Sequence, residues 1–205
     1  MEIACLDLEG VLVPEVWIAV AERTGIDELK LTTRDIADYN VLMRKRLDIL
    51  AANQLTITDV QEVIATLQPL EGANAFLDWL RQHFQVVILS DTFYEFASPL
   101  MRQLEWPTLF CHRLDIDDGG RIVDFSLRQV DQKRKSVAAL QGLNFRVLAA
   151  GDSYNDTTML AEADAGILFC PPQNVIDEFP QFPVTRNYQE LTHAFCEASV
   201  RALES

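Results

Sequence analysis

The chain has 205 residues, 49% hydrophobic and 23% charged, the balance of one folded domain, or a core with a smaller lobe, rather than of a disordered chain. Its 17 Lys and Arg against 31 Asp and Glu leave a net charge of −14, a field that repels nucleic acid and anionic membranes. No run approaches the roughly 20 apolar residues that span a bilayer.

The start, MEIACLDLEG, meets Asp7 after only a few apolar residues, so no signal peptide is expected and the compartment reads as a reducing cytoplasm. The four cysteines are scattered with no CxxC pair; Cys5, Cys111 and Cys170 lie in apolar runs and read as buried thiols. Three scattered histidines offer no zinc constellation.

Ile3 to Leu6 reads as a buried parallel strand ending on Asp7. From Pro14 to about Pro69 the apolar residues recur at three and four (Trp17, Ile18, Ala21; Tyr39, Leu42, Met43; Val60, Val63, Ile64, Leu67), which predicts helices and no strand. Thr58 with Gln61 three residues on predicts a helix start. Beyond Gly72, strands and helices alternate. A helix around Phe76–Leu80 precedes a strand Val86–Leu89 that ends at Ser90-Asp91-Thr92, and a helix follows from Phe93 to Leu104. Leu109 to His112 reads as a short strand, and Asp117-Asp118-Gly119-Gly120 as a hairpin turn. A helix over Lys133–Leu140, a strand over Arg146–Ala150 ending at Gly151-Asp152, a helix over Met159–Ala163 and a strand over Ala165–Phe169 come next. Pro171-Pro172 breaks the chain, and a helix from Leu191 to Leu203 closes it. The expected fold is α/β, a doubly wound parallel Rossmann-like sheet, with residues 1–13 and 70–205 as core and an all-helical insert, 14–69, after the first strand.

In such sheets ligands bind at the carboxyl ends of the strands. Three predicted strand ends carry polar residues: Asp7 and Glu9, Ser90 to Thr92, and Asp152 to Asp156. One strand-end Asp is easily a helix cap, but three after apolar runs point to a shared site. Clustered carboxylates repel unless protons or a cation relieve them, and oxygen ligands of this kind suit Mg²⁺.

The run Cys5-Leu6-Asp7-Leu8-Glu9-Gly10-Val11-Leu12-Val13 resembles the first signature of the haloacid dehalogenase superfamily. Val86 to Thr92 is similar to its second motif, Lys133 to its isolated lysine, and Gly151-Asp152-Ser153-Tyr154-Asn155-Asp156 to its GDxxxD motif. The ordered set covers nearly the whole chain. The helical insert, Met43-Arg44-Lys45-Arg46-Leu47 and Glu15 resemble the cap of the phosphoserine phosphatase group, although Glu15 comes one residue early. Glu9 in place of the usual second Asp is similar to a variant of that group that also transfers phosphate from phosphoserine to homoserine.

The resemblance implies a Mg²⁺-dependent phosphomonoesterase. In it Asp7 is the nucleophile and Glu9 the general acid and base, and Asp7, the Glu9 backbone carbonyl and Asp152 hold the metal. Ser90, the Asp91 backbone N–H, Lys133 and Asn155 meet the phosphate, with Lys135 as the alternative lysine. Asp156 orients Lys133, Arg46 clamps the substrate carboxylate, and Glu15 meets the ammonium; Arg44 and Arg34 are the other candidate clamps. Trp17, Met43 and Phe93 read as packing without chemistry. The implied partners are small molecules, phosphoserine with water or homoserine as acceptor, with no nucleic acid and no membrane; monomer and homodimer both stay open. The competing readings are a sugar-phosphate phosphatase, since the cap sets substrate class, and a receiver-like phospho-acceptor module. In a receiver the lysine follows the last acidic strand end, whereas Lys133 precedes Asp152.

Overall fold

Strand β1 (Glu2–Leu6) is buried along its whole length, as a strand flanked on both edges and both faces must be. The computed structural model that reveals this describes residues 1–32, 35–36 and 38–203. β1 pairs in parallel with β2 (Gln85–Phe93) on one side and β5 (Arg146–Gly151) on the other. With β3 (Thr108–Ile116), β4 (Ile122–Ser126), β6 (Ala165–Phe169) and β7 (Val184–Thr185) it forms a seven-stranded sheet of order β4-β3-β2-β1-β5-β6-β7. The β3–β4 pair is antiparallel and the other pairs are parallel. The strand order therefore reverses at β1, and the crevice between the carboxyl ends of β1 and β5 is where such sheets bind ligands.

Alternation along β1 assigns its side chains to two cores. Ala4 and Leu6 face a cluster containing Phe76, Leu77, Phe96 and Phe195, supplied by α4 (Ala73–His83), α5 (Tyr94–Gln103) and α9 (Tyr188–Ala198). Ile3 and Cys5 face a second cluster containing Val137, Met159 and Val175, supplied by α6 (Gln132–Gly142), α7 (Thr157–Glu162) and α8 (Gln173–Glu178). Between β1 and α4 run α1 (Val16–Thr24), a short 3₁₀ turn, α2 (Tyr39–Ala52) and α3 (Ile57–Ile64), with no strand among the described residues. No helix among them is long and apolar enough to cross a membrane.

Several expected boundaries move, each for a local reason. Thr56, not Thr58, caps α3: its hydroxyl accepts the Asp59 N–H while the Asp59 carboxylate accepts the Thr56 N–H, a complete capping box. The last helix starts at Tyr188, because the Asn187 side chain accepts the Glu190 N–H. It stops at Ala198 instead of Leu203, because Ser199, Val200 and Arg201 turn aside to donate to the buried Glu2 carboxylate. β2 runs on through Ser90-Asp91-Thr92 with an irregular register between Leu89 and Phe93. The predicted short strand is the first half of a nine-residue β3, which continues beyond the parallel pairing to form the hairpin with β4. The sequence reading also missed α8 and β7. Cys5 and Cys111 are buried, but Cys170 is exposed, just past β6 in a left-handed conformation at φ 46°.

Candidate active site

Asp7 extends the β1 ladder by one residue, its N–H donating to the Ala150 carbonyl at 3.0 Å. That contact fixes the side chain at the strand-order reversal, where Oδ1 accepts the Leu8 N–H at 2.7 Å and lies 2.9 Å from Lys133 Nζ. The chain then turns sharply through Gly10 at φ +79°. A Cβ at Gly10 would fall 2.4 Å from Asp152 Cγ, so glycine is what lets the Asp152 carboxylate sit against this turn.

Lys133 is not the solvated start of a helix. In the first turn of α6, it is 3% exposed and stands 2.8 Å from Asp156 Oδ1, 2.9 Å from Asp7 Oδ1 and 3.8 Å from Asp91 Oδ2. Burial opposes its charge, but the three carboxylates overcome that and hold its pKa well above the usual lysine value. Lys135, the alternative, is exposed. Asp156 spends both oxygens on the scaffold: Oδ1 takes Lys133, and Oδ2 accepts the N–H groups of Asp152 and Ser153 at 3.0 and 3.2 Å.

One oxygen of each of Asp7, Asp152 and Asp156 lies within 4.8 Å of the others, an arrangement able to hold a cation. Asp152 Oδ1 is buried with no hydrogen-bond partner. Burial, the Asp156 charge and Glu15 push the Asp152 carboxyl up to about 8, and burial followed by Asp156 pushes Asp7 well above the usual carboxylate range. Such groups stay charged only with added positive charge. Since Asp156 is already engaged, Asp7 and Asp152 are the two side chains free to supply oxygen to a metal.

At the end of β2, Ser90 is buried and its Oγ accepts the Thr92 N–H at 3.2 Å. The neighbouring Asp91 side chain gathers several donors: Gln132 Nε2 at 3.3 Å and Asn155 Nδ2 at 3.1 Å, with His112 Nε2 at 3.5 Å. His112 Nδ1 accepts the Arg128 N–H, so the ring proton sits on Nε2, facing Asp91. Burial works against the Asp91 charge, but Lys133 and these donors hold its carboxyl well below the usual range. Asn155 thus braces Asp91 from the cleft that it also lines.

The opposite wall comes from the helical insert. Glu9 is half-buried, its Oε2 accepting the Val16 N–H at 2.9 Å. Burial and then the Glu15 charge push its carboxyl up to about 7, against bonds from Val16 and the Thr92 hydroxyl. Arg46 is buried on α2 with its Nη2 on the Leu31 carbonyl at 2.7 Å, its plane 4.5 Å over the Trp17 ring and its Nε without a partner. Arg44 points away to Asp124 at 2.6 Å, and Arg34 lies outside the described residues. Between the walls is a cleft of about 250 Å³ lined by Asp7, Glu9, Glu15, Arg46, Ser90, Lys133 and Asn155, among others. Asp152 and Asp156 lie beneath it. Sequence reasoning missed His112, Gln132 and Tyr39, whose hydroxyl donates to the Asp91 carbonyl at 2.7 Å, and it gave Thr92 and Trp17 no chemical role.

A doubly wound sheet with clustered carboxylates and a buried lysine at its strand-order reversal is the frame of the haloacid dehalogenase-like hydrolases. The family's model matches residues 1–164, and the chain belongs to that family. It is 68% identical over 203 residues to the phosphoserine phosphatase ThrH of Pseudomonas aeruginosa, covering 99% of each chain. It is 64% identical to a phosphoserine phosphatase of Pseudomonas syringae pv. tomato, covering 99% of this chain and 86% of the relative. Among solved structures it shares its fold with a phosphoserine phosphatase in apo form, at a TM-score of 0.77 and 22% identity over 94% of this chain and 98% of that one.

Proposed function

We propose that the chain is a Mg²⁺-dependent phosphatase of O-phosphoserine that also passes the phosphoryl group to homoserine, with residues 1–13 and 70–205 as catalytic core and 14–69 as a cap. The observation that carries this reading is the pairing of two unlike walls across one small cleft. Below, Lys133 and a strained carboxylate cluster suit a phosphoryl group; above, the unpaired Arg46 and the nearby Glu15 suit a carboxylate and an ammonium. The names of the Pseudomonas relatives support the substrate, and that of the P. aeruginosa protein suggests the transfer.

Asp7 attacks phosphorus in line, forming an aspartyl-phosphate while the serine oxygen leaves. Glu9, protonated in an appreciable fraction near neutral pH, gives its proton to that oxygen and then takes one from the incoming water or alcohol. Lys133, Ser90 and the Asp91 N–H hold the phosphoryl oxygens, with Lys133 fixed by Asp156 and the far side of Asp91 braced by Asn155. Asp7, the Glu9 carbonyl and Asp152 would hold Mg²⁺, which supplies the positive charge that keeps this cluster ionised and offsets charge on the phosphoryl group. Homoserine carries the same ammonium and carboxylate as serine, so Glu15 and Arg46 present its hydroxyl to the same phosphate. Small-molecule partners of this kind fit a cytoplasmic enzyme.

Phosphate release from phosphoserine, phosphoethanolamine and sugar phosphates, with Mg²⁺ or with chelator, tests the reading. Expected are metal-dependent turnover favouring phosphoserine, its loss in Asp7→Asn, and phosphohomoserine in the phosphorus NMR spectrum when homoserine is added. Preference for a sugar phosphate would overturn the substrate, turnover in chelator the metal, and inorganic phosphate alone at saturating homoserine the transfer.

A further inference from the structure

We infer that Trp17 is a specificity-determining residue, its indole face holding the Arg46 guanidinium charged and oriented toward the cleft without taking up any of the hydrogen-bond donors that the substrate carboxylate needs. The inference rests on the reading of Arg46 as the carboxylate clamp. A buried cation normally keeps a carboxylate as partner. Arg46 has none: no described carboxylate forms an ion pair with it, and its partners are neutral, the Leu31 carbonyl at Nη2 and the Met43 Sδ at Nη1, 3.7 Å away. A carboxylate in the place of Trp17 would neutralise the guanidinium and occupy the N–H fork. An aromatic face attracts the same charge through its quadrupole and takes up no donor. The Arg46 Nε, buried and without a partner, is one such free donor, and both side chains line the cleft.

The ring itself is fixed. Trp17 is 8% exposed in the first turn of α1 and meets Phe96 edge-on at 5.4 Å, and Phe96 meets Phe93 edge-on at 5.6 Å. Phe93 belongs to β2 and Phe96 to α5 just after it, so the platform for Arg46 is anchored across the insert into the layer that carries Asp91. A substrate without a carboxylate gains nothing from the stack; one with a carboxylate does.

The test compares phosphoserine with phosphoethanolamine, which keeps the ammonium and phosphate and lacks the carboxylate. Trp17→Met should lower the ratio of kcat/KM for phosphoserine to that for phosphoethanolamine about tenfold, mainly through KM, and Trp17→Phe should restore most of it. Where Trp17→Met does not fold, wild-type chain carrying mono- and difluorotryptophan keeps the shape and weakens the ring face. The ratio should then fall stepwise with each fluorine. A ratio unmoved by fluorination, or equal loss on both substrates in Trp17→Met, overturns the proposal. Arg46→Ala separates the two levels. If it too hurts both substrates equally, the clamp reading has failed; if Arg46→Ala is selective and the Trp17 variants are not, only the role of Trp17 has.

Discussion

The Glu9 carboxylate accepts the backbone N–H of Val16, the first residue of α1, at 2.9 Å. Glu15, at the capping position, makes no side-chain cap of its own, so the proposed acid–base group also serves as the N-terminal cap of the first helix of the insert. An aspartate at position 9, one methylene shorter, loses reach to that N–H. Glu9→Asp should therefore cost about 1 kcal/mol of stability and change the division of phosphate between water and homoserine. Thermal melting and phosphorus NMR with phosphoserine as donor measure the two effects; an unchanged partition would detach acceptor choice from the length of this side chain.

Lys133 is enclosed by Asp7 and Asp156 at 2.9 and 2.8 Å. Lys133→Met leaves two buried carboxylates facing each other, a loss of about 3 kcal/mol or more, together with turnover. Denaturant unfolding should show that loss at pH 7 and a smaller one at pH 5, where the Asp7 carboxyl, already raised by burial, accepts a proton more readily.

Asp91 is held below its ordinary pKa, so its stabilising contribution is complete above the unfolded value of about 4 and is lost as pH falls through the lower folded value. Asp91→Asn should destabilise by about 1–2 kcal/mol at pH 7, the lower part of the range for charge-assisted bonds, because the side chain is 31% exposed. The gap between variant and wild type should stay level from pH 7 to about 5 and close below about pH 4. A gap that widens on acidification would show that the Asp91 charge is not what these donors hold.

Gly10→Ala would put a methyl 2.4 Å from Asp152 Cγ. Asp152 then has to swing away, so Mg²⁺ binding measured by calorimetry should weaken by at least tenfold while far-ultraviolet circular dichroism stays that of the wild type. Retained Mg²⁺ affinity would remove Asp152 from the metal site.

Much of this was readable from residue order alone. Apolar runs that stop on acidic or hydroxyl residues locate β1, β2 and β5 and place Asp7, Ser90 and Asp152 at one crevice, because parallel strands in one sheet end on one side. Thr56-Ile57-Thr58-Asp59 offers two threonines, each with a capping partner three residues on, and only the fold chooses between them. The groups around Asp91 were illegible for a different reason. His112 comes from β3, Gln132 from α6 and Asn155 from the turn after β5, and no local pattern marks residues that meet only through sheet order. Trp17 fits a helical packing stripe whether or not a guanidinium lies on it.

The place of β1 has a consequence for biosynthesis. The strand bearing Asp7 leaves the ribosome before both of its neighbours, since β2 and β5 are supplied by the middle and the later part of the chain. Until β5 has emerged, one edge of β1 is bare, and Asp7 has neither the Ala150 carbonyl that fixes its backbone nor Asp152 beside it. Pairings so distant in sequence form late. A nascent chain halted before Arg146 is thus an inert, aggregation-exposed fragment, and the pocket comes into being as one of the last events of folding.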